Sequence, residues 1–441
     1  MSWSELNDVL FASHLRDAQA EVDAALAVAH LDGLVIAAGD ARPAFQDDQA
    51  YPFRPNPWFS WFVPAPAAPG SLLLLAPGVQ PRLLFVAPQD YWHSPPEPPE
   101  GPWLELVDLC VLPDAAACMA EAQKLRGRPA WIGEAPPPRD DWAWNPAPVL
   151  ARLEQARCRK SSYEVACMRE ASRIGVAGHL AAERCFRQGA SEFDLHLAFL
   201  GAVRQDESTL PYPPIIALNE HAATLHYQRR DTLAPARSQS LLIDAGAGFR
   251  GYASDITRTW ASAPGLFASM VDGMQALQQE LCAAVEPGLD WRALHLRAHL
   301  LVGRLLRECG VLNVEPQDAL DRGITAAFLP HGLGHLLGLQ VHDVGGFKPA
   351  ADAEPIARPP GHPALRLTRP LQAGMVVTVE PGVYFIDSLL APLRAGAQAQ
   401  AVNWPLVERL AVCGGIRIED NVVVTETGHD NLTRNAFAEV G

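Results

Sequence analysis

At 441 residues the chain is longer than one ordinary hydrophobic core, so two domains are expected. Hydrophobic residues make up 49% and charged residues 19%, a balance that excludes a disordered chain and supplies ample material for packed cores. The formal net charge of −15 argues against nucleic acid or an anionic membrane surface as the main partner.

Residues 4–29 have helical periodicity and lead into LDGLVIAAG, a short apolar strand ending in glycine. This N-terminal stretch lacks the apolar core of a signal peptide, and no run approaches the roughly 18 apolar residues that span a bilayer. SLLLLAPG (71–78) and RLLFVAP (82–88) repeat the strand pattern around a turn, so the first third reads as an α/β domain. HSPPEPPEGP (93–102) is a surface loop by composition. Periodicity lapses over EAPPPRDDWAWNPAP (134–148), which puts the boundary near residue 155: an N-terminal α/β domain over 1–155 and a second domain over 156–441.

In the second domain helical segments come first, at 161–187, 191–206, 264–286 and 290–310. Strand-like runs then dominate, as in SLLIDAG, GYASDITRTW, MVVTVEPG and GIRIEDNVVVTE. That order predicts an α+β layer with antiparallel strands. The eight cysteines are scattered without a C-x-x-C pair, which fits free thiols in a reducing compartment and a cytoplasmic location.

Four segments carry the chemistry. LLIDAGAGFRGYASDITRTW puts Asp244 at the end of one strand and Asp255 in the next, with Gly246, Gly248 and Gly251 turning between them. Such a hairpin brings both carboxylates to one face, where their repulsion calls for a cation. FLPHGLGHLLGLQVHDVGGF holds His331, His335 and His342, but its glycines make a helical zinc pair untenable and let the backbone approach a ligand. VVTVEPG finishes an apolar strand on Glu380, and GGIRIEDNVVV puts Arg417 and Glu419 two apart, on one strand face. Each segment alone also fits a plainer reading: turn aspartates, structural histidines, or glutamates in salt bridges.

Together, four carboxylates and one imidazole form an oxygen-rich set suited to Mn, Co or Zn. Their four negative charges are balanced by two divalent cations and not by one. Two such ions about 3.5–4 Å apart generate a hydroxide nucleophile and polarise a carbonyl.

The order Asp244, Asp255, His335, Glu380, Glu419 resembles the five ligands of the pita-bread metallopeptidases, which include methionine aminopeptidase, aminopeptidase P and prolidase. It is most similar to the bacterial Xaa-Pro dipeptidases (prolidases of the PepQ type) and their organophosphorus acid anhydrolase relatives. DDQAYPFRPNP, DYWH, YEVACMREA, IALNEHAATLHY, GLQVHDVGGF, LRLTR, YFIDSLLAP and GGIRIEDN carry that likeness from about residue 46 to 421.

The resemblance implies an N-terminal α/β domain, a pita-bread catalytic domain and a homodimer. It implies that Asp244 binds one metal, that Asp255 and Glu419 bridge, and that His335 and Glu380 bind the other. Mn2+ is the expected ion, with Co2+ and Zn2+ as alternatives. His226, His331 and His342 match substrate-contacting and proton-handling histidines, and Tyr212 matches a pocket-lining residue. Arg366 corresponds to the arginine that receives a C-terminal carboxylate, and Arg417 to another pocket arginine. Asp48 resembles an acid that reaches into the partner subunit's site. Two departures are read as changes in the pocket wall: Trp291 where some relatives have tyrosine, and Leu367 where cysteine is expected.

The activity so implied is hydrolysis of Xaa-Pro dipeptides. A hydroxide bridging the metals attacks the carbonyl before proline, Glu380 shuttles the proton, and His342 and His226 stabilise the oxyanion. Organophosphorus triester hydrolysis is the implied side reaction. The competing readings are an aminopeptidase P acting on longer peptides and a metal-free pita-bread binding module.

Overall fold

The computed structural model describes residues 3–65, 68–92 and 94–440 and divides into two compact units. His93, the last residue of DYWH, lies outside the described residues.

The first unit runs through Arg157 and takes in Ser161–Ala166 and Ala350–Asp352. Its elements are α1 (Trp3–Ala29), β1 (Leu34–Ala37), α2 (Pro57–Ser60), β2 (Leu72–Leu75), β3 (Arg82–Val86), β4 (Asp108–Leu112), α3 (Ala115–Ala122), β5 (Ala130–Ile132), β6 (Ala143–Trp144) and α4 (Ala147–Cys158). The strands form one mixed sheet in the order β4-β3-β2-β1-β5-β6. β1, β2 and β3 pair antiparallel, whereas β3–β4, β1–β5 and β5–β6 are parallel. The run LLLL of β2 is buried throughout, as a strand with cover on both faces must be. Along α1, Phe11, Leu15, Ala18, Val22 and Ala25 are buried at helical spacing. The stretch 134–148 is not empty of structure: it contains β6 and the start of α4.

α5 (Ser162–Arg187) belongs to the second unit from Cys167 onward and is followed by α6 (Glu192–Val203), which is started by a capping box between Ser191 and Asp194. Then come β7 (Ile215–Leu218), β8 (Ser240–Asp244), β9 (Gly248–Phe249), β10 (Tyr252–Ala253), β11 (Thr257–Ala261), α7 (Leu266–Ala283), α8 (Trp291–Glu308), α9 (Pro316–Asp321) and α10 (Ile324–Phe328). The last third supplies β12 (Val376–Val379), β13 (Gly382–Tyr384), α11 (Asp387–Ala395), α12 (Trp404–Ala411), β14 (Gly415–Arg417), β15 (Asp420–Val424), β16 (His429–Asn431) and α13 (Leu432–Val440). Its sheets are β11-β8-β7, β12-β15-β16, β9-β10 and β13-β14, and every pairing is antiparallel, as the order of helices and strands predicts.

One core joins α7 and α8 to β12, β14 and β15 through Met270, Leu281, Leu294, Val302, Val377, Ile416 and Val422. Two isolated bridges hold the chemistry-bearing segments against this frame. Thr257↔Glu419 ties β11 to the segment between β14 and β15, and Leu336↔Val377 ties the glycine–histidine segment to β12. No disulfide forms among the described cysteines, and no described helix is long and apolar enough to cross a membrane.

Candidate metal centre

Asp244 closes β8, opposite Thr257 of β11. Asp255 is not within a strand but in the link between β10 and β11, because positive φ at Arg250 and Gly251 inserts a small second hairpin inside the larger one. The link is anchored to Asn421 of β15: the Asp255 N–H donates to Asn421 Oδ1 at 3.0 Å, and the Asn421 amide donates back to the Asp255 carbonyl. Gly246 is required for this close approach, since a Cβ there would lie 1.9 Å from the Ser254 carbonyl oxygen.

The glycine–histidine segment is irregular, as its glycines predict, and it lies along the end of β12. His335 N–H donates to Thr378 Oγ1 at 3.1 Å, Thr378 N–H returns a bond to the His335 carbonyl, and Glu380 N–H donates to the Leu333 carbonyl at 2.8 Å. A side chain at Gly334 would collide with the Thr378 carbonyl at 1.9 Å. Arg417 and Glu419 do not share one continuous strand. The chain leaves β14 at Arg417 and re-enters a different sheet at Asp420, and the break turns both side chains into the same cavity.

All five candidate ligands line one cavity of about 270 Å3, together with His226, His331, His342, Arg366 and Arg417. Asp255, His335 and Glu419 each bring a ligand atom within 4.8 Å of the other two. His335 Nδ1 lies 3.0 Å from the Leu336 carbonyl and must donate to it, which in the neutral ring leaves Nε2 as the lone pair. That lone pair faces Asp255 Oδ2 at 3.5 Å and Glu380 Oε1 at 3.8 Å. The gaps are too long for good hydrogen bonds and suit a shared cation with ligand bonds of about 2.0–2.2 Å.

The electrostatics agree. Burial, with the neighbouring carboxylates adding to it, pushes Glu419 well above the ordinary glutamate range. Burial raises Asp244 despite the opposing charge of Arg417, and it raises Glu380 to about 7 despite His335 and Arg417. Burial opposes the charged form of His335, yet its contact with Asp255 wins and raises it. This is a site with surplus negative charge, and divalent cations are its natural counterions.

Residues around the ligands hold them in place. The Tyr212 hydroxyl lies 2.8 Å from Asp244 Oδ1 and 2.6 Å from Asp255 Oδ1. Thr257 Oγ1 donates to Glu419 Oε2 at 2.6 Å and accepts from Arg417 Nε at 3.2 Å. Arg417 Nη1 donates to the Tyr384 hydroxyl at 2.7 Å. That hydroxyl sits 2.8 Å from His331 Nε2, and His331 Nδ1 donates to the Gly332 carbonyl at 2.8 Å. Both ring nitrogens of His331 are thus engaged, and Nδ1 also lies 3.6 Å from Glu380 Oε2. His342 stands edge-on to His335, ring centroids 4.4 Å apart, and burial with the nearby His335 and Arg366 charges holds it down to about 4.

Two expected wall residues lie elsewhere. Trp291 opens α8 and is wholly buried in the core, and Leu367 turns inward into the same core; neither lines the cavity. The physical reason is direction: the first turn of α8 and the residue after Arg366 both point to the apolar side. Asp48 belongs to the first unit, on an exposed bend between Pro43 and Ala50. Sequence reasoning did not single out Thr257, Tyr384 or Asn421. Polar side chains inside otherwise apolar strand runs were the available signal.

Residues 166–426 match the family model described as metallopeptidase family M24, and residues 9–155 match that of the Xaa-Pro dipeptidase N-terminal domain. The chain is 46% identical over 431 residues to an Xaa-Pro dipeptidase of Stenotrophomonas maltophilia, covering 97% of each. It is 47% identical over 434 residues to one of Xanthomonas campestris pv. campestris, covering 98% of each. Among solved structures it resembles E. coli aminopeptidase P with the inhibitor Pro-Leu, at TM-score 0.72 and 23% identity over 96% of this chain and 95% of that one. It also resembles proline aminopeptidase P II from Yersinia pestis, at TM-score 0.68 and 25% identity over 96% of each.

Proposed function

The chain belongs to metallopeptidase family M24, and from that premise we propose that it is an Xaa-Pro dipeptidase, hydrolysing the bond before a C-terminal proline. The observation that carries this reading is 46–47% identity over nearly the full length to Xaa-Pro dipeptidases. The likeness to aminopeptidase P stands at 22–25% and speaks for the fold.

We assign Asp244, Asp255, His335, Glu380 and Glu419 as ligands of two divalent cations, Mn2+ first and Co2+ or Zn2+ as alternatives. Bound there, two such ions activate water and polarise a carbonyl. His342 is neutral near pH 7, so its ring N–H is available to the oxygen on which charge develops, and His226 at the exposed rim is its partner in that task. Glu380, the more open of the buried ligands, passes a proton to the leaving proline nitrogen.

Arg366 sets the length of the substrate. It lies exposed on the cavity lining, and no carboxylate pairs with it among the described residues. A dipeptide's terminal carboxylate supplies the bidentate partner that the guanidinium lacks. A longer peptide puts an amide there and leaves the arginine unmet. Proline favours a dedicated enzyme because it has no N–H and a fixed φ, which defeats proteases that grip an extended backbone. Asp48, exposed on the first unit, meets the substrate's amino group across a homodimer in this account. Phosphotriester hydrolysis is a side reaction of the same site. The eight cysteines without a disulfide support a reducing, cytoplasmic setting. The test is hydrolysis of Gly-Pro against Gly-Pro-Pro by chelated protein with Mn2+ restored: the dipeptide is cleaved and the tripeptide is not.

A further inference from the structure

A second cluster of ligand-type side chains lies away from the five assigned ones. His295 and His299 are one turn apart on α8 and therefore share a face, and His362 projects from the loop that leads to Arg366. One ring nitrogen from each lies within 4.8 Å of the other two. The ring centroids form a near-equilateral triangle with sides of 4.7, 4.6 and 4.5 Å, and the planes cross at 85°, 88° and 65°. Crossed rings of this kind point their nitrogens inward without stacking.

Hydrogen bonding does not account for the cluster. His295 Nε2 is 2.9 Å from His362 Nδ1, and His299 Nδ1 is 3.1 Å from Thr325 Oγ1 of α10. That leaves His299 Nε2 and His295 Nδ1, on side chains 0% and 1% exposed, with no partner. Two orphaned nitrogens among three packed imidazoles are costly in a dry interior. Burial also holds His295 down to about 3 and His299 to about 2, so both rings keep the lone pairs a metal needs.

We propose that His295, His299 and His362 form a third cation site, for zinc or a chemically similar late divalent ion, that clips the Arg366 loop to α8. The donor set separates it from the catalytic centre. Three imidazoles without a carboxylate suit Zn2+, whereas the carboxylate-rich pair suits Mn2+. Thr325 supplies the outer hydrogen bond that fixes the His299 tautomer with Nε2 toward the ion. The clip acts on substrate binding through position: residues 362–366 include Ala364 and Arg366, both on the catalytic cavity.

The site stands independently of the dipeptidase reading, and zinc itself is the probe. Full-length protein is stripped with chelator, dialysed against Zn2+, and its zinc content measured. Wild type is compared with His362→Ala, with the double variant Asp244→Asn/Glu419→Gln, and with all three changes combined. The double variant is expected to keep one tightly held zinc that the triple variant lacks, and wild type to hold one more zinc than His362→Ala. X-ray absorption of the zinc in the double variant is expected to show a shell of imidazole nitrogens. His362 is half-buried on a loop, so its removal spares the apolar face of α8. Equal zinc in the double and triple variants, or an oxygen-dominated shell, overturns the proposal. Loss of Mn2+-dependent dipeptidase activity with that zinc retained bears only on the catalytic centre.

Discussion

Arg417 Nη2 lies 2.7 Å from Asp244 Oδ2, joining a candidate pocket arginine to a candidate metal ligand in a buried ion pair. The same guanidinium reaches Tyr384 and Thr257, so one planar fork orients a ligand, a wall tyrosine and the threonine that bonds Glu419. Lysine keeps the charge but cannot serve three partners in fixed directions. In Arg417→Lys, kcat/KM for an Xaa-Pro dipeptide falls at least about ten-fold, or ~1.4 kcal/mol of transition-state stabilisation, while two cations still bind. Wild-type kinetics in this variant would show that charge alone is what the position supplies.

Tyr212 touches both hairpin aspartates through its hydroxyl. Removing that hydroxyl disturbs the orientation of both carboxylates. Tyr212→Phe weakens metal binding about 10–100-fold, and saturating metal restores most of the turnover. Competition with a chromophoric chelator measures this, and an unchanged affinity would contradict it.

Asp420, directly after Glu419, is completely buried between Arg258 and Arg434, each at 2.7 Å. Burial pushes its carboxyl up, but the two guanidiniums win and hold it at about 2, below the ordinary 3.8. A depressed native value means stabilisation that is complete above pH 3.8 and fades as pH falls toward 2. Asp420→Asn therefore costs about 3–5 kcal/mol at neutral pH, and the gap from wild type narrows in acid. Urea unfolding at pH 7 and near pH 2.5 is the check; a gap that does not change with pH counts against it.

Metal removal has a pH signature of opposite sign. In the metal-free protein Glu380 is raised from 4.5 to about 7, chiefly by burial. A raised native value gives stability that is present below pH 4.5 and lost as pH rises through 7. Chelated protein thus loses thermal stability between about pH 4.5 and 7, and added divalent metal removes that trend. Melting curves with and without chelator across this range decide it; parallel curves would show that no cation relieves the carboxylates.

The five candidate ligands were legible as a set because metal chemistry dictates residue type, and the structure brings all five onto one cavity. Faces were less legible. A period-of-two argument assumes an unbroken strand; Arg417 and Glu419 do face one cavity as it expects, but the strand is broken at Ile418, where the chain passes from the β13–β14 pair to the β12–β15–β16 sheet. It failed before Asp255, where positive φ at two consecutive residues folds an inner hairpin. Trp291 shows the same limit for helices: an aromatic at a helix start is visible in sequence, but the direction of the first turn is set by the core it meets. The His295–His299–His362 triangle was invisible because one corner lies more than sixty residues from the others.

The most direct measurement is kcat/KM for Gly-Pro and Gly-Pro-Pro with chelated enzyme and Mn2+ restored, in wild type and in Arg366→Ala. The account predicts metal-dependent cleavage of Gly-Pro, at least about a hundred-fold preference over the tripeptide, and collapse of that preference in the variant. Equal cleavage of both peptides by wild type, or full selectivity in Arg366→Ala, would contradict it.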